Sequence, residues 1–460
     1  TQDGEGAARF ASGRTRDLVK HIFGSFAYGD EPRLNCWWDQ TCEIPTRPIL
    51  TGSQSCDVAI IGGGFTGISA ALHLAKSGVK VVVLENRYVG WGASGRNGGF
   101  CCLGGGRLDD TALDKKFGRV DRLAFRSAEM AAINLVDELV KRHDIAVDRH
   151  SSGETELAHR PRDMDYLRRR VAVIKEDYGL DATLVEKHEL AAQGISGPFH
   201  GALTVPAGFA LNPLKYLTGL AEAAEAAGAI IYHQTGARRI TQTGDAHQID
   251  TSNGTLTADK IILATNGYSS EDLSSDLSGR YMPAQSSVIV TRPLSDNELA
   301  QAGWTSSQMV YDTRNLLHYF RLMPDRRMLF GMRGGLMTGA RAEARALMRV
   351  RRDFEMIFPQ WKRVETPYGW SGMVCLARNQ MPFVGKLSQS GKIYASLCYH
   401  GNGVAMGSYC GALVADLVQG RPTQKPFSES MKGPFVKFEL GRFRRMLMPF
   451  AYLGFAVADR

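Results

Sequence analysis

The sequence predicts an α/β fold, α+β overall, and three kinds of stretch predict it. Residues 57–85, DVAIIGGGFTGISAALHLAKSGVKVVVLE, read as strand, glycine turn, helix, strand and acid. Residues 261–268 are an apolar strand entering a small polar turn. Residues 285–292, 316–320 and 328–332 alternate or run apolar in the manner of β-strands. The first two describe a Rossmann-like dinucleotide-binding domain and the third a separate sheet.

The run 57–61 is too short for a helix, and Gly62, Gly64 and Gly67 follow it as G-x-G-x-x-G. The helix opens at Phe65 and Thr66, carries Ile68, Leu72 and Ala75 on one face and stops at Gly78. Residues 79–84 are a β-branched run suited to a parallel strand buried on both faces. Glycine is needed because a pyrophosphate must approach the backbone closely and meet the free N–H groups of a helix N-terminus. Glu85, followed by Asn86 and Arg87, closes the second strand, where a carboxylate accepts both hydroxyls of an adenosine ribose.

A second glycine-rich run, Gly90 to Gly99, comes directly after this acid. An NAD domain has no evident need of it, whereas FAD extends past its pyrophosphate to ribityl and isoalloxazine groups. Small residues at Gly92, Ala93, Gly98 and Gly99, with Ser94, Arg96 and Asn97 as donors, suit that length.

Composition bounds the alternatives. The 460 residues are 44% hydrophobic and 22% charged, as in ordinary globular chains, and are long enough for two or three domains. The net charge of +8 is spread among acids, so solvated helix faces are expected rather than a nucleic-acid groove. Eight cysteines without C-x-x-C indicate free thiols in a reducing compartment, and adjacent Cys101 and Cys102 are expected to be small packing residues. No signal core or membrane-spanning run is evident, so a cytoplasmic location is expected. No zinc spacing and no G-x-S-x-G occurs, because Arg96 follows Ser94-Gly95.

The strand, glycine turn, ribose acid and GWGASGRNGG run resemble the D-amino-acid oxidase (DAO) family of FAD-dependent amine oxidoreductases. The wording is nearest the gamma-glutamylputrescine oxidase branch, alongside glycine and sarcosine oxidases. The resemblance implies a glutathione-reductase-like FAD domain made of 51–110, 200–272 and 370–425. It implies an antiparallel substrate domain over the flavin made of 111–199 and 273–369. Residues 1–50 are expected as an arm lying over the core, with Trp37 and Trp38 packing, and residues 426–460 as a tail packing on the core. A strand after the helix 214–227 is implied to reach the adenine side near Ala237, and Thr265, Asn266 and Gly267 to close over the cofactor.

At Gly401, Asn402, Gly403, Val404 and Ala405 a helix opens, whose N–H groups and dipole would stabilise charge on the reduced flavin. His400 could add charge there. Arg321 and Arg333 are the candidate partners of a substrate carboxylate, with Tyr311, His318 and Tyr319 as weaker candidates. The family's chemistry implies oxidation of a gamma-glutamyl amine or N-alkyl amino acid by hydride transfer to flavin N5, with O2 or another acceptor. The enzyme alternative is a D-amino-acid dehydrogenase passing electrons to a quinone or carrier; the other is a non-catalytic or RNA-modifying flavin module. Two departures from the sarcosine-oxidase branch stand out. Leu329 occupies the position of its lysine near flavin N5, and Gly372 that of its FAD-linking cysteine, with Cys375 the nearest thiol, so non-covalent FAD is expected.

Overall fold

The strand Gly52–Ile61, the helix Phe65–Lys76 and the strand Val81–Leu84 sit at the centre of an eight-stranded sheet. The structure is a computed structural model that describes residues 20–459 apart from 336 and 388–390; the first nineteen residues of the expected arm lie outside it. Burial on both faces explains the unbroken apolar run. Val58 and Ile60 pack into one core with the helix, while Ala59 and Ile61 pack into another with Leu256 and Leu263. Outward from Gly52–Ile61 the sheet adds Val81–Leu84 and Ile230–Tyr232 on one side, and Gly254–Leu263 and Ile393–Leu397 on the other, all parallel. Phe383–Lys386 closes one edge antiparallel.

A second eight-stranded sheet is antiparallel apart from one pairing, Met309–Asp312 with Glu154–Leu157. Its centre is Tyr281–Val290, Met328–Arg333 and His318–Leu322. Period-two alternation sorts its side chains. Phe320, Met328, Phe330 and Met332 face a core with Phe354 and Trp361, beneath the helix Ala340–Ile357. The alternate positions, Tyr319, Arg321, Leu329, Gly331 and Arg333, therefore face the parallel sheet's domain.

Two expected limits move. Gly201–Val205 pairs with Glu154–Leu157 and Thr183–Glu186, and Tyr368–Ala377 pairs with Tyr281–Val290, so both strands belong to the antiparallel sheet rather than the cofactor domain. The chain re-enters the parallel sheet's domain at the helix Pro213–Ala226, capped by the Asn212 side chain, and again at Phe383–Lys386.

Residues 20–50 form three short 3-10 turns and otherwise irregular chain. The tail ends in the helix Met448–Ala458. Buried Arg444 anchors its start on Glu271 and the Tyr281 carbonyl, and Asp459 accepts N–H bonds from Asn315 and Leu316 at its end. Among the described residues no helix is long and apolar enough to cross a membrane.

Candidate active site

Two helices begin at one edge of the parallel sheet. Phe65–Lys76 follows Gly52–Ile61, and Ala405–Val418 follows Ile393–Leu397. Both strands run parallel to Gly254–Leu263, so both helix N-termini face the crevice beyond the strands' carboxyl ends. Gly52–Ile61 leads on to Val81–Leu84 on one side of the sheet and Gly254–Leu263 to Ile393–Leu397 on the other, which makes the crevice a topological switch point.

The crevice has a volume of about 1190 Å3. Gly62, Gly64, Glu85, Asn86, Arg87, Gly92, Ala93, Ser94, Ala237, Thr265 and Asn266 line it. A Cβ on Gly67 would lie 1.9 Å from the Gly62 carbonyl oxygen, so glycine lets the helix close on the turn. Gly62 has φ +110°, and a Cβ there would meet the Ala264 carbonyl at 2.8 Å. Glu85 accepts N–H bonds from Gly63 at 2.7 Å and Arg87 at 2.9 Å, which fixes its carboxylate at the rim with lone pairs left for a ribose. Burial pushes its pKa up, against those bonds. A backbone cradle that side chains would fill, facing a fixed carboxylate, fits the adenosine and pyrophosphate of FAD.

Some candidate residues act through backbone alone. The Phe65 ring packs on Tyr216, and the Thr66 hydroxyl bonds to that of Tyr399 at 2.8 Å. The Ser94 hydroxyl accepts the Phe65 N–H at 3.0 Å, so loop 90–99 caps the first helix. Asn97 turns its amide to the Ala93 and Ser94 carbonyls and the Gly99 N–H, holding its own loop. Gly67, Gly99, Gly267, Gly403 and Ala405 lie outside the linings of both cavities.

Ala93 also lines a second cavity, of about 260 Å3, between loop 90–99 and the antiparallel sheet. Arg96 sits at this junction. It is 2% exposed and stacks 4.3 Å from the Trp91 ring; its Nε donates to the Trp91 carbonyl at 2.7 Å, while buried Nη2 has no partner among the described residues. A buried cation with one unpaired donor in the wall of that cavity fits the flavin end of the cofactor. Gly98, Gly401, Asn402 and Val404 line the same cavity, so the second helix N-terminus borders it. The turn before that helix holds Cys398 at φ +68° and His400 at φ +52°, and Asn266 Oδ1 fixes it by accepting the Cys398 N–H at 3.0 Å. Such backbone persists only where its surroundings determine it.

The two candidate arginines part company. Arg321 donates to the Gly98 and Leu211 carbonyls at 2.9 and 2.8 Å, contacts His150 and lies over the Trp38 ring. It fastens loop 90–99 and is absent from the pocket lining, which corrects its assignment as a substrate ligand. Arg333 lines the pocket in one row with Ser286 and Gly372 across neighbouring strands, and no carboxylate pairs with it among the described residues. Burial, with Arg107 nearby, depresses its pKa, as for a cation awaiting a partner. Tyr319 lies flat on Gly331, its hydroxyl 3.0 Å from Ser286 Oγ.

His400 lines the pocket, but burial and the charges of Arg107 and Arg333 drop its pKa to about 3. It therefore stays neutral and adds no charge to the helix terminus, in keeping with a structural histidine. His318 faces the other side of its strand, between Asp312 and Asp353. Trp38 packs, its indole donating to the Asn97 carbonyl at 2.8 Å. Gly372 offers no atom for a covalent flavin link, and Cys375 turns to Cys398, Sγ to Sγ 3.4 Å. Burial raises the Cys101 and Cys102 thiols, which are poor nucleophiles in that state.

The sequence reading missed two pocket residues. Glu154 is 3% exposed, and burial raises its carboxyl pKa to about 8. Glu154 and Glu156 share one face of a short strand, a pattern that in sequence alone reads as a solvated face; burial on both faces appears only in the fold. Arg107 follows three glycines, and nothing in that spacing marks it.

Residues 57–417 match the family model described as DAO, FAD dependent oxidoreductase. The chain is 32% identical over 407 residues to the gamma-glutamylputrescine oxidoreductase of Escherichia coli (strain K12), covering 88% of this chain and 93% of that protein. It is 33% identical to the probable oxidoreductase OrdL of Rhizobium meliloti (strain 1021), covering 92% and 97%. The crystal structure of glycine oxidase from Geobacillus kaustophilus superposes with a TM-score of 0.68 at 22% identity, covering 81% of this chain and 96% of that one.

Proposed function

The chain belongs to the DAO family of FAD-dependent oxidoreductases, and from that premise we propose that it oxidises the C–N bond of an amine that also carries a carboxylate. Gamma-glutamyl amines and N-alkyl amino acids are the classes meant. One observation carries the reading: unpaired Arg333 and buried Glu154 converge on a single cavity beside loop 90–99. Zwitterionic substrates present the two complementary groups.

Held along the Gly62–Gly67 turn and beside Glu85, FAD would supply the two-electron oxidant for removal of a hydride. Arg333 holds the carboxylate, with Arg107 beside it. Glu154 in its ionised form, which grows as pH rises toward 8, takes the proton of the arriving ammonium, leaving the nitrogen lone pair free to form the C=N bond as hydride leaves carbon. Phe100, Leu317, Tyr319 and Met373 wall the cavity against water. The imine hydrolyses to an aldehyde or keto product plus an amine. Leu329 is fully buried against Trp38 and Trp370, so no cation stands at that position to promote reaction with O2; this favours another acceptor. Eight free cysteines suit a reducing cytoplasm.

The test is the visible spectrum of the purified protein under nitrogen as gamma-glutamylputrescine, N-methyl amino acids and D-amino acids are added in turn. Bleaching by an amine bearing a carboxylate supports the proposal, and admitting air then separates oxidase from dehydrogenase. A yellow protein that no such amine bleaches would overturn it.

A further inference from the structure

The C-terminal segment carries an apolar stripe that the other described residues leave uncovered. Phe443, Met446, Phe450, Leu453 and Val457 recur at steps of three and four residues and are 54% to 77% exposed. They follow one helical face through the turn Gly441–Leu447 and the helix Met448–Ala458. The helix itself, MPFAYLGFAVA, has no charged residue. Its opposite face is seated: Tyr452 lies 3.5 Å from where a Cβ on Gly334 would stand, and Phe455 lies under Arg107 at 5.9 Å. The stripe is thus held outward by a docked helix. Five large apolar side chains in one exposed row are more than a surface leaves by chance.

The rim of the stripe is cationic. Arg442 stacks on Phe443 at 4.6 Å, and Lys437 is exposed nearby. At the far end Arg160 and Arg162 both donate to the Ala458 carbonyl, at 2.5 and 3.4 Å. The acids close by are engaged: Glu439 pairs with Arg378, Asp163 with Arg160, and Asp459 accepts the Asn315 and Leu316 N–H groups. We propose that this face docks on an anionic lipid surface, its apolar stripe entering the headgroup and acyl boundary while the arginines meet lipid phosphates. The charge pattern selects this occupant over a second copy of the chain, because a two-fold contact through the stripe would set like-charged rims against each other. The helix that carries the stripe borders the pocket by its seated face, where Arg107, a lining residue of the cavity, lies over Phe455.

The experiment floats the full-length holoprotein with vesicles of phosphatidylcholine alone, and with vesicles containing roughly 30% phosphatidylglycerol. The expected result is flotation with the anionic vesicles, weakened by salt, and roughly tenfold weaker partition for Phe450→Asp with Leu453→Asp at unchanged flavin content. Arg442→Glu with Arg162→Glu leaves the stripe intact and should also weaken binding to anionic vesicles alone. Failure of the wild-type protein to float overturns the proposal, as does flotation indifferent to both double variants. Light scattering showing a dimer that the Phe450 and Leu453 changes dissociate would also overturn it, assigning the stripe to self-association.

Discussion

Around the dinucleotide cleft the chain offers backbone, whereas around the adjoining pocket it offers side chains. The cleft is shaped by the turn Gly62 to Gly67, whose N–H groups and missing Cβ atoms come from one contiguous stretch. The pocket brings Glu154, Ser286, Tyr319, Arg333 and His400 together from strands and loops spread over some half of the chain. A backbone site depends on a local conformation, so any side chain at a crowded position destroys it. A side-chain site depends on tertiary register, so its members can be removed singly, each with a separate effect.

Breaking the backbone side should produce the largest change. Gly67→Val puts branched carbon where even a Cβ would lie 1.9 Å from a carbonyl oxygen. The helix Phe65–Lys76 must then back away from the strand, at a cost of more than about 3 kcal/mol. Purified Gly67→Val is expected to retain no FAD, read from the ratio of flavin to protein absorbance; a yellow protein would show that the turn tolerates a wider approach.

The arginines sharpen the comparison from the other side. Arg333→Met should lower kcat/KM by roughly 100-fold, mostly through KM, while the melting temperature holds or rises because a buried unpaired charge is gone. Arg321→Met should do the reverse. It orphans the Gly98 and Leu211 carbonyls, so stability is expected to fall by about 2–4 kcal/mol in chemical denaturation. A matching KM effect in both variants would erase the distinction between them.

That distinction was not legible in the sequence. Both arginines sit on the same face of adjacent strands, and what separates them is the Gly98 and Leu211 carbonyls, which approach from loop segments outside that sheet. The same physics displaced the domain limits. The alternation in Gly201–Val205 and Tyr368–Ala377 suits either sheet, and the choice of partner is made by long-range register. The unit 57–85 was legible because its strands, turn and acid are local and each glycine answers a local steric demand. Glu154 escaped because a buried carboxyl is marked only by what covers it.

Glu154→Gln tests the pocket at smaller amplitude. The wild-type carboxyl titrates near pH 8 in the folded chain and near 4.5 when unfolded, so folding binds a proton between these values. Its contribution is therefore present in full below about pH 4.5 and is lost as pH rises toward 8. In Glu154→Gln that part of the decline in melting temperature should vanish. In kcat/KM the same substitution should remove the limb rising toward pH 8 and cost roughly tenfold at the plateau. A pH profile identical to wild type would remove Glu154 from the reaction.

The smallest expected effect lies one residue away from Tyr319, on the covered face of the antiparallel sheet. Burial pulls the pKa of His318 down, but its bonds to Asp312 at 2.7 Å and Asp353 at 3.3 Å outweigh this and raise it to about 9. The sign follows from linkage: the folded state holds a proton that the unfolded chain releases near pH 6.5, so this stabilisation is complete below about 6.5 and lost as pH rises through 9. Asp353→Asn removes the longer of the two bonds and leaves Asp312 in place. It should lower stability by about 1 kcal/mol at pH 6 and by less at pH 10, with flavin content and KM unchanged. Denaturant titrations at the two pH values measure the difference. Equal losses at both would mean that His318 is neutral in the folded chain, and that the covered face of the substrate sheet, like the dinucleotide cradle, is held without a titrating charge.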